Sequence, residues 1–133
     1  MENLEVTPTP TTPHVKLDAK NGKLFLGGRS IPEDPDVFYS RIFNWVDQYF
    51  GDAKDETEIE FRLEYVNSGS SKYMLELLRE IERLSGNGKT VRIIWCYETD
   101  DESIQELGEH YQATVKLPFE IIEVPPVEDE EDF

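Results

Sequence analysis

Apolar and polar residues alternate along some stretches of the chain with a period of two and along others with a helical period. Residues 59–65 alternate strictly, with apolar side chains at every second position and charged ones between them. This pattern predicts a strand with one buried face and one wet face. Residues 90–97 are almost continuously apolar and predict the most buried strand, next to the alternating one. Residues 119–124 predict a short last strand.

Three segments carry the apolar spacing of amphipathic helices. The first covers about residues 35–50, where Asp34 before a proline suits an N-cap. Its apolar stripe comprises Phe38, Ile42, Trp45 and Tyr49. The second covers about residues 71–84 and is followed by a Gly-Asn-Gly stop. A shorter third helix is expected to open at residues 99–102.

A β-hairpin is predicted at the start of the folded part, because residues 14–18 and 23–26 flank an Asn21-Gly22 pair. The element order is then hairpin, α, β, α, β, α, β. A strand, a helix and a following strand of these lengths imply a right-handed parallel crossover. The sequence therefore predicts an α/β sandwich with a mixed sheet of four to five strands and helices mainly on one face.

The ends of the chain differ in composition from the middle. Residues 1–13 are rich in proline and threonine and predict a flexible arm, while residues 125–133 are acidic and predict a disordered tail. Residues 14–124 between them form one predicted domain. No disulfide framework is expected, because Cys96 is alone and lies inside an apolar run.

The strongly negative net charge of the chain argues against some classes of binding partner. The formal net charge is -16 over 133 residues, so we expect no binding to nucleic acid or to an anionic membrane. No stretch of the sequence has the length and hydropathy of a signal peptide or a membrane helix. We therefore expect a cytoplasmic protein that binds other proteins.

Small hydroxyl residues crowd the corner between the alternating strand and the second helix. Ser68, Ser70 and Ser71 stand beside the unpaired N–H groups with which a helix begins. Such a corner suits an N-cap and also suits a phosphate, and spacing alone does not choose between them. A phosphate on Ser68 would add about -1.5 to -2 charges, and Lys72 is near enough in sequence to pair with it.

Other chemistries find little support in the sequence. A serine nucleophile needs a base, yet G-x-S-x-G is absent, and His14 and His110 fall on distant elements. Asp100, Asp101 and Glu102 could ligate Mg²⁺, but acids at the start of a helix also favour its dipole. We expect no metal, no cofactor and no catalytic residue.

The stretch Tyr65-Val66-Asn67-Ser68-Gly69-Ser70-Ser71-Lys72 resembles the Tyr-Phe-Asn-Thr-Ser-Ser-Ser-Lys signature of the SiaC family of bacterial regulatory phosphoproteins. The similarity extends over about residues 14–122. The further matching segments are Gly28 to Glu33, Phe38-Tyr39, Trp45, Trp95 to Glu98, Asp100-Asp101 and Gly108-Glu109. The departures from the signature include Ser68, where threonine is expected, and Gly69.

This resemblance implies a fold similar to STAS-type anti-sigma-factor antagonists and a non-enzymatic role. It implies that a protein kinase phosphorylates the hydroxyl at Ser68 and that a PP2C-type phosphatase removes the phosphate. The unphosphorylated form would bind and activate a diguanylate cyclase and so raise cyclic di-GMP. Ser70 and Ser71 are alternative acceptors, and Asn67, Gly69 and Lys72 form the surroundings of the phosphate.

Two other classes of function stay open at this point. A small serine hydrolase predicts His110 or a carboxylate within hydrogen-bonding reach of one of the serines. A plain interaction module predicts binding through the acidic tail.

Overall fold

The computed structural model describes residues 1–86 and 88–126, and these form six strands, three α-helices and one 3-10 helix, Phe50–Asp52. The strands are β1 (Leu4–Val6), β2 (His14–Asp18), β3 (Lys23–Ser30), β4 (Glu56–Val66), β5 (Thr90–Glu98) and β6 (Phe119–Val124). The helices are α1 (Pro35–Tyr49), α2 (Ser68–Leu84) and α3 (Glu102–Thr114). The predicted acidic tail lies outside the described residues from 127 onwards.

The strands form one mixed sheet in which each strand neighbours the next along the chain, β1-β2-β3-β4-β5-β6. The first three pair antiparallel, and β3 to β6 pair parallel. Each parallel step is bridged by one helix, and right-handed crossovers between neighbouring strands put all three helices on the same face. The predicted α/β class, the hairpin and the mixed sheet are confirmed, with six strands rather than four or five.

The additional strand is β1, which lies within the predicted flexible arm over residues 1–13. Leu4 pairs with Leu17 and Val6 with Val15 at the edge of the sheet. The indole N–H of Trp45 on α1 donates to the carbonyl of Glu2 at 2.9 Å. Three residues are too few to show an alternating pattern, so this strand depends on tertiary contacts that the sequence does not reveal.

The core lies between the sheet and the helices. Alternate residues of every central strand are buried on the helix-covered face, and the other face is half-exposed. Trp95 occupies the centre, where its indole N–H donates to the carbonyl of Ile104 at 2.8 Å. Its ring lies 5.2 Å from that of Phe61 and 5.4 Å from that of Tyr111.

The helices largely follow their predicted stripes, with two differences. In α1 the residues predicted at 42, 45 and 49 are buried, but Tyr39 is fully buried in place of the half-buried Phe38. Helix α2 begins at Ser68, three residues before the predicted start. Within the described residues, no helix is long and apolar enough to cross a membrane.

Gly108 allows α3 to approach Trp95, and this contact can be tested. A Cβ built on Gly108 falls 2.9 Å from Trp95 Cγ and closer still to Cδ1. We expect Gly108→Ala to lower the free energy of unfolding by about 1–3 kcal/mol, because overpacking outweighs the better helix propensity of alanine. The measurement is urea denaturation followed by tryptophan fluorescence.

Gly86→Ala is the control, since a Cβ at Gly86 meets no atom within 4 Å. Its effect should stay within about 0.5 kcal/mol. Equal stability of Gly108→Ala and the wild type would contradict the proposed close contact.

Candidate functional site

The three helices begin at one edge of the sheet, where the parallel strands end. At each start a side-chain oxygen accepts the backbone N–H of the residue three positions on, which satisfies one of the unpaired donors. The capping pairs are Asp34 with Val37 at 3.2 Å, Asn67 with Ser70 at 2.8 Å and Asp101 with Ile104 at 3.1 Å. The serine-rich corner is therefore one of three capped helix starts at this edge.

Asn67 is the N-cap of α2, and none of the three serines that follow it takes that role. Its Oδ1 atom accepts the N–H of Ser70 at 2.8 Å. Its own N–H donates to the carbonyl of Ser30 at 3.2 Å, which ties the corner to the end of β3. The asparagine thus fixes the first turn of α2 and leaves the serine hydroxyls for other roles.

Ser70 is completely buried and belongs to a chain of three hydroxyls. The Ser30 hydroxyl donates to the Ser70 hydroxyl at 2.9 Å and lies 2.6 Å from the hydroxyl of Tyr39. Burial raises the pKa of Tyr39 and keeps its phenol neutral. These bonds span β3, α1 and α2, and they hold Ser70 away from solvent.

Ser71 is half-buried and is held from two sides. Its hydroxyl donates to the carbonyl of Ser68 at 3.0 Å, and its carbonyl accepts the hydroxyl of Tyr111 at 2.6 Å. Burial raises the pKa of Tyr111, so this phenol remains a neutral donor. The second bond links the first turn of α2 directly to α3.

Ser68 differs from Ser70 and Ser71 because it is exposed, at the first position of α2. In the described part of the chain its hydroxyl makes no hydrogen bond. The side chain borders a cleft of about 370 Å³ between the end of β4 and the starts of α2 and α3. The cleft is lined by Glu64, Tyr65, Val66, Ser68, Ser71, Asp101, Ser103, Ile104 and Leu107. We call it the Ser68 cleft.

A β-bulge shapes the wall of this cleft. Gly28 pairs with Leu63 and Arg29 with Tyr65, so Glu64 is the extra residue of β4. A bulge turns the following side chain away from its expected direction. Tyr65 was predicted to point into the core, but it is 48% exposed, and the guanidinium of Arg29 lies 5.5 Å from its ring centroid.

The remaining predicted surroundings of Ser68 lie on the outside of the first turn. Gly69 is exposed, and a Cβ at this position would meet only Asn67 Oδ1 at 3.7 Å and Pro35 Cγ at 4.0 Å. Lys72 is exposed four residues after Ser68, and therefore on the same side of α2. It does not line the Ser68 cleft, whose charged lining residues are Glu64 and Asp101.

The geometry gives no support to hydrolysis or metal binding among residues 1–86 and 88–126. His14 lies 3.2 Å from Glu5, and the ring of His110 lies 6.0 Å from that of Tyr111. Neither histidine lines the Ser68 cleft. No group of three or more His, Cys, Asp or Glu side chains in this part is arranged to hold a metal ion. Asp101, one of the suggested magnesium ligands, caps α3 instead.

Sequence reasoning missed two parts of the site. The hydroxyl chain of Ser30, Tyr39 and Ser70 joins residues 9 and 40 positions apart, a separation that no local pattern reveals. The exposure of Tyr65 depends on the bulge. The Gly27-Gly28 pair was the available signal, because glycine inside a strand is typical of a bulge.

Comparisons with known proteins match the chain to one protein family. The family model of the SiaC family regulatory phosphoprotein matches residues 6–124. A curated but uncharacterised protein of Pseudomonas aeruginosa, strain UCBPP-PA14, is 30% identical over 121 residues, which are 91% of this chain and 96% of the relative.

The solved structures that resemble the chain contain SiaC of the same species. SiaC of Pseudomonas aeruginosa superposes with a TM-score of 0.86 at 28% identity, covering 93% of this chain and 100% of the other. The crystal structure of apo-SiaC from the same species gives 0.83 at 30% identity, covering 92% and 99%. A chain in the crystal structure of the diguanylate cyclase SiaD with its activator SiaC gives 0.85 at 29% identity, covering 91% and 99%.

The capping role of Asn67 leads to a stability prediction. We expect Asn67→Ala to lower the free energy of unfolding by about 1 kcal/mol, because the N–H of Ser70 loses its acceptor. Asn67→Asp is the matched control and should retain stability, since a carboxylate caps equally well and favours the helix dipole. Urea denaturation of both variants measures the difference, and equal losses in both would rule out the cap as the cause.

Proposed function

The chain belongs to the SiaC family of regulatory phosphoproteins, and we propose that in its unphosphorylated form it binds and activates a diguanylate cyclase. The observation that carries this proposal is the match over 91% of the chain to a structure of the diguanylate cyclase SiaD in complex with its activator SiaC. The protein would act in the cytoplasm as a regulator and perform no catalysis itself. Its output would be the level of cyclic di-GMP and, through it, biofilm formation.

We propose Ser68 as the phosphorylated residue, and the exposure of the three serines supports this choice. A kinase must place the acceptor hydroxyl in line with the transferred phosphoryl group, so the hydroxyl has to be reachable. Ser68 is exposed, whereas Ser70 has no exposed surface and bonds to Ser30. Ser71 donates its hydroxyl to the backbone within the helix. Phosphorylation of Ser70 would require the first turn of α2 to open.

The electrostatics of the corner suit a switch. A phosphate on Ser68 adds about -1.5 to -2 charges at the start of α2, where the helix dipole contributes about 0.3–1 kcal/mol in its favour. Glu64 and Asp101 line the same cleft, so the phosphorylated surface is more negative and also more crowded. A cyclase that fits the unmodified surface would then meet a different shape and charge without any change of fold.

A reversible switch requires one enzyme for each direction. We propose that a protein kinase phosphorylates Ser68 and that a PP2C-type phosphatase restores the free hydroxyl. The exposed position of Ser68 at the sheet edge supports access by both enzymes. The net charge of -16 further supports protein partners rather than nucleic acid.

The phosphoacceptor can be identified by incubating the protein with ATP and a candidate partner kinase from the same genome. We expect a single phosphate on Ser68, located by tandem mass spectrometry. Ser68→Ala should abolish the labelling. Ser71→Ala should leave the labelling intact, because the hydroxyl of Ser68 is still present and exposed in that variant. Phosphate found on Ser70 or Ser71 in the wild-type protein would contradict the assignment.

The electrostatic part of the switch is tested by two substitutions of Ser68 whose new side chains have nearly the same shape and differ in charge. We expect Ser68→Asp to weaken cyclase binding about tenfold or more. The substitution adds a negative charge beside Glu64 and Asp101, on the surface of this chain that would contact the cyclase. Ser68→Asn has nearly the same shape without the charge and should bind within about threefold of wild type. Isothermal calorimetry with the purified cyclase measures both, and equal affinities for the two variants would contradict a charge-based mechanism.

A further inference from the structure

The residue that caps α3 borders the same cleft as Ser68. Asp101 Oδ1 accepts the backbone N–H of Ile104 at 3.1 Å, and both of these residues line the Ser68 cleft. Ser103 and Leu107 continue the same wall, so the cleft runs along the first turns of α3. A group attached to Ser68 therefore meets the start of α3 across a cleft of about 370 Å³.

Asp101 supports the turn from β5 into α3 with its backbone as well as its side chain. Its N–H donates to the carbonyl of Glu98 at 2.9 Å, and its carbonyl accepts the N–H of Gln105 at 3.2 Å. The residue before it, Asp100, has φ 73°, a left-handed conformation that is unfavourable for a side chain other than glycine. A displacement of Asp101 therefore disturbs the turn, the cap and the first helical bond of α3 together.

The two helix starts beside the cleft differ in charge. The first turn of α2 contains no acid, so its dipole favours a phosphate on Ser68. The first turn of α3 contains Glu102, and Asp101 and Glu64 line the cleft. A helix dipole places only about half a positive charge at a helix start. Three carboxylates outweigh that half charge, so we expect the α3 side of the cleft to repel a phosphate.

We propose that Asp101 is the positioning residue through which a negative charge on Ser68 acts on α3. The charge repels the Asp101 carboxylate, weakens its bond to the N–H of Ile104 and loosens the first turn of α3. The proposal rests on the proposed function, because it takes Ser68 as the modified residue. It adds that the modification changes the shape of one wall of the cleft as well as its charge.

The size of the cleft makes this repulsion effective. A compact volume of about 370 Å³ spans about one Debye length at 0.1 M salt, which is about 10 Å. Charges on opposite walls are therefore incompletely screened, and the half-burial of Asp101 reduces the screening further. The hydroxyl of Tyr111 also joins α3 to the carbonyl of Ser71 at 2.6 Å. Because this bond holds the two helices together, the repulsion acts on the cap.

Amide hydrogen exchange tests the proposal without a kinase or a cyclase. Ser68→Asp and Ser68→Asn give side chains of nearly the same shape, and only the first is charged. We expect the N–H of Ile104 to exchange about fivefold or more faster in Ser68→Asp than in Ser68→Asn, because a weakened cap lets the first turn of α3 open more often. Nuclear magnetic resonance at one pH measures both rates.

The start of α1 supplies the matched control in the same samples. Asp34 caps the N–H of Val37 at 3.2 Å at the same edge of the sheet, but neither residue lines the Ser68 cleft. The exchange rate of Val37 should differ by less than about twofold between the two variants. Equal acceleration of Val37 and Ile104 would indicate a general loss of stability and would contradict the proposal.

Asp101→Asn removes the charge of the cap and keeps its hydrogen bond, since asparagine caps a helix about as well as aspartate. In this background Ser68→Asp and Ser68→Asn should give Ile104 exchange rates within about twofold of each other. With Asp101 present, the difference should shrink in 1 M salt, where the Debye length is about 3 Å. A difference that persists in either experiment would overturn the proposal, because the charge would then act by another route.

Cyclase binding separates this proposal from the proposed function. Asp101→Asn should restore at least about threefold of the cyclase affinity that Ser68→Asp loses, as measured by isothermal calorimetry. If cyclase binds and Ser68→Asp weakens it, but Ile104 does not respond, the Asp101 proposal is wrong and the proposed function stands. If the wild-type chain binds no cyclase while Ile104 responds as expected, the proposed function is wrong and the coupling through Asp101 stands.

Discussion

Right-handed crossovers between neighbouring parallel strands are the constraint on which the rest of this structure depends. Three such crossovers in succession put every helix on one face and start every helix at one edge. That edge collects three capped helix starts, each with its unpaired N–H groups and favourable potential for negative charge. A residue that is to carry a phosphate without disturbing the core is well situated there, and Ser68 occupies such a position.

Burial distinguishes three serines that are nearly equivalent in the sequence. Ser70 faces the core and is held by Ser30, while Ser71 is bonded back into the helix. Ser68 alone of the three is exposed. The hydroxyl chain and the Tyr111 bond connect this first turn of α2 to β3, α1 and α3. The first turn of α2 is thus tied to three other elements and presents one exposed serine hydroxyl.

The one-sided arrangement of helices has a second consequence. Among the described residues, no helix covers the opposite face of the sheet, which carries an apolar pocket of about 280 Å³ lined in part by Gly27 and Gly28 of β3. Glu64, the extra residue of the β4 bulge, lines both this pocket and the Ser68 cleft.

Much of the fold was determined by the sequence itself. The strict alternation over residues 59–65, the apolar run over 90–97 and the Asn21-Gly22 turn each predicted an element that the structure confirms. Local period and turn chemistry suffice for these because they act between near neighbours in the chain. The same local signals located the serine-rich corner and its helix.

The tertiary structure decided which side chains the corner exposes. Strand β1 is too short to be visible in the pattern, and its pairing depends on the edge of β2. Tyr65 faces outward because a register shift against β3 turns it, and Ser70 is buried because Ser30 and Tyr39 meet it from other elements. These outcomes depend on contacts between residues far apart in the chain, which local periodicity does not encode. The sequence indicated a corner rich in hydroxyls, and packing left Ser68 as the one accessible at its surface.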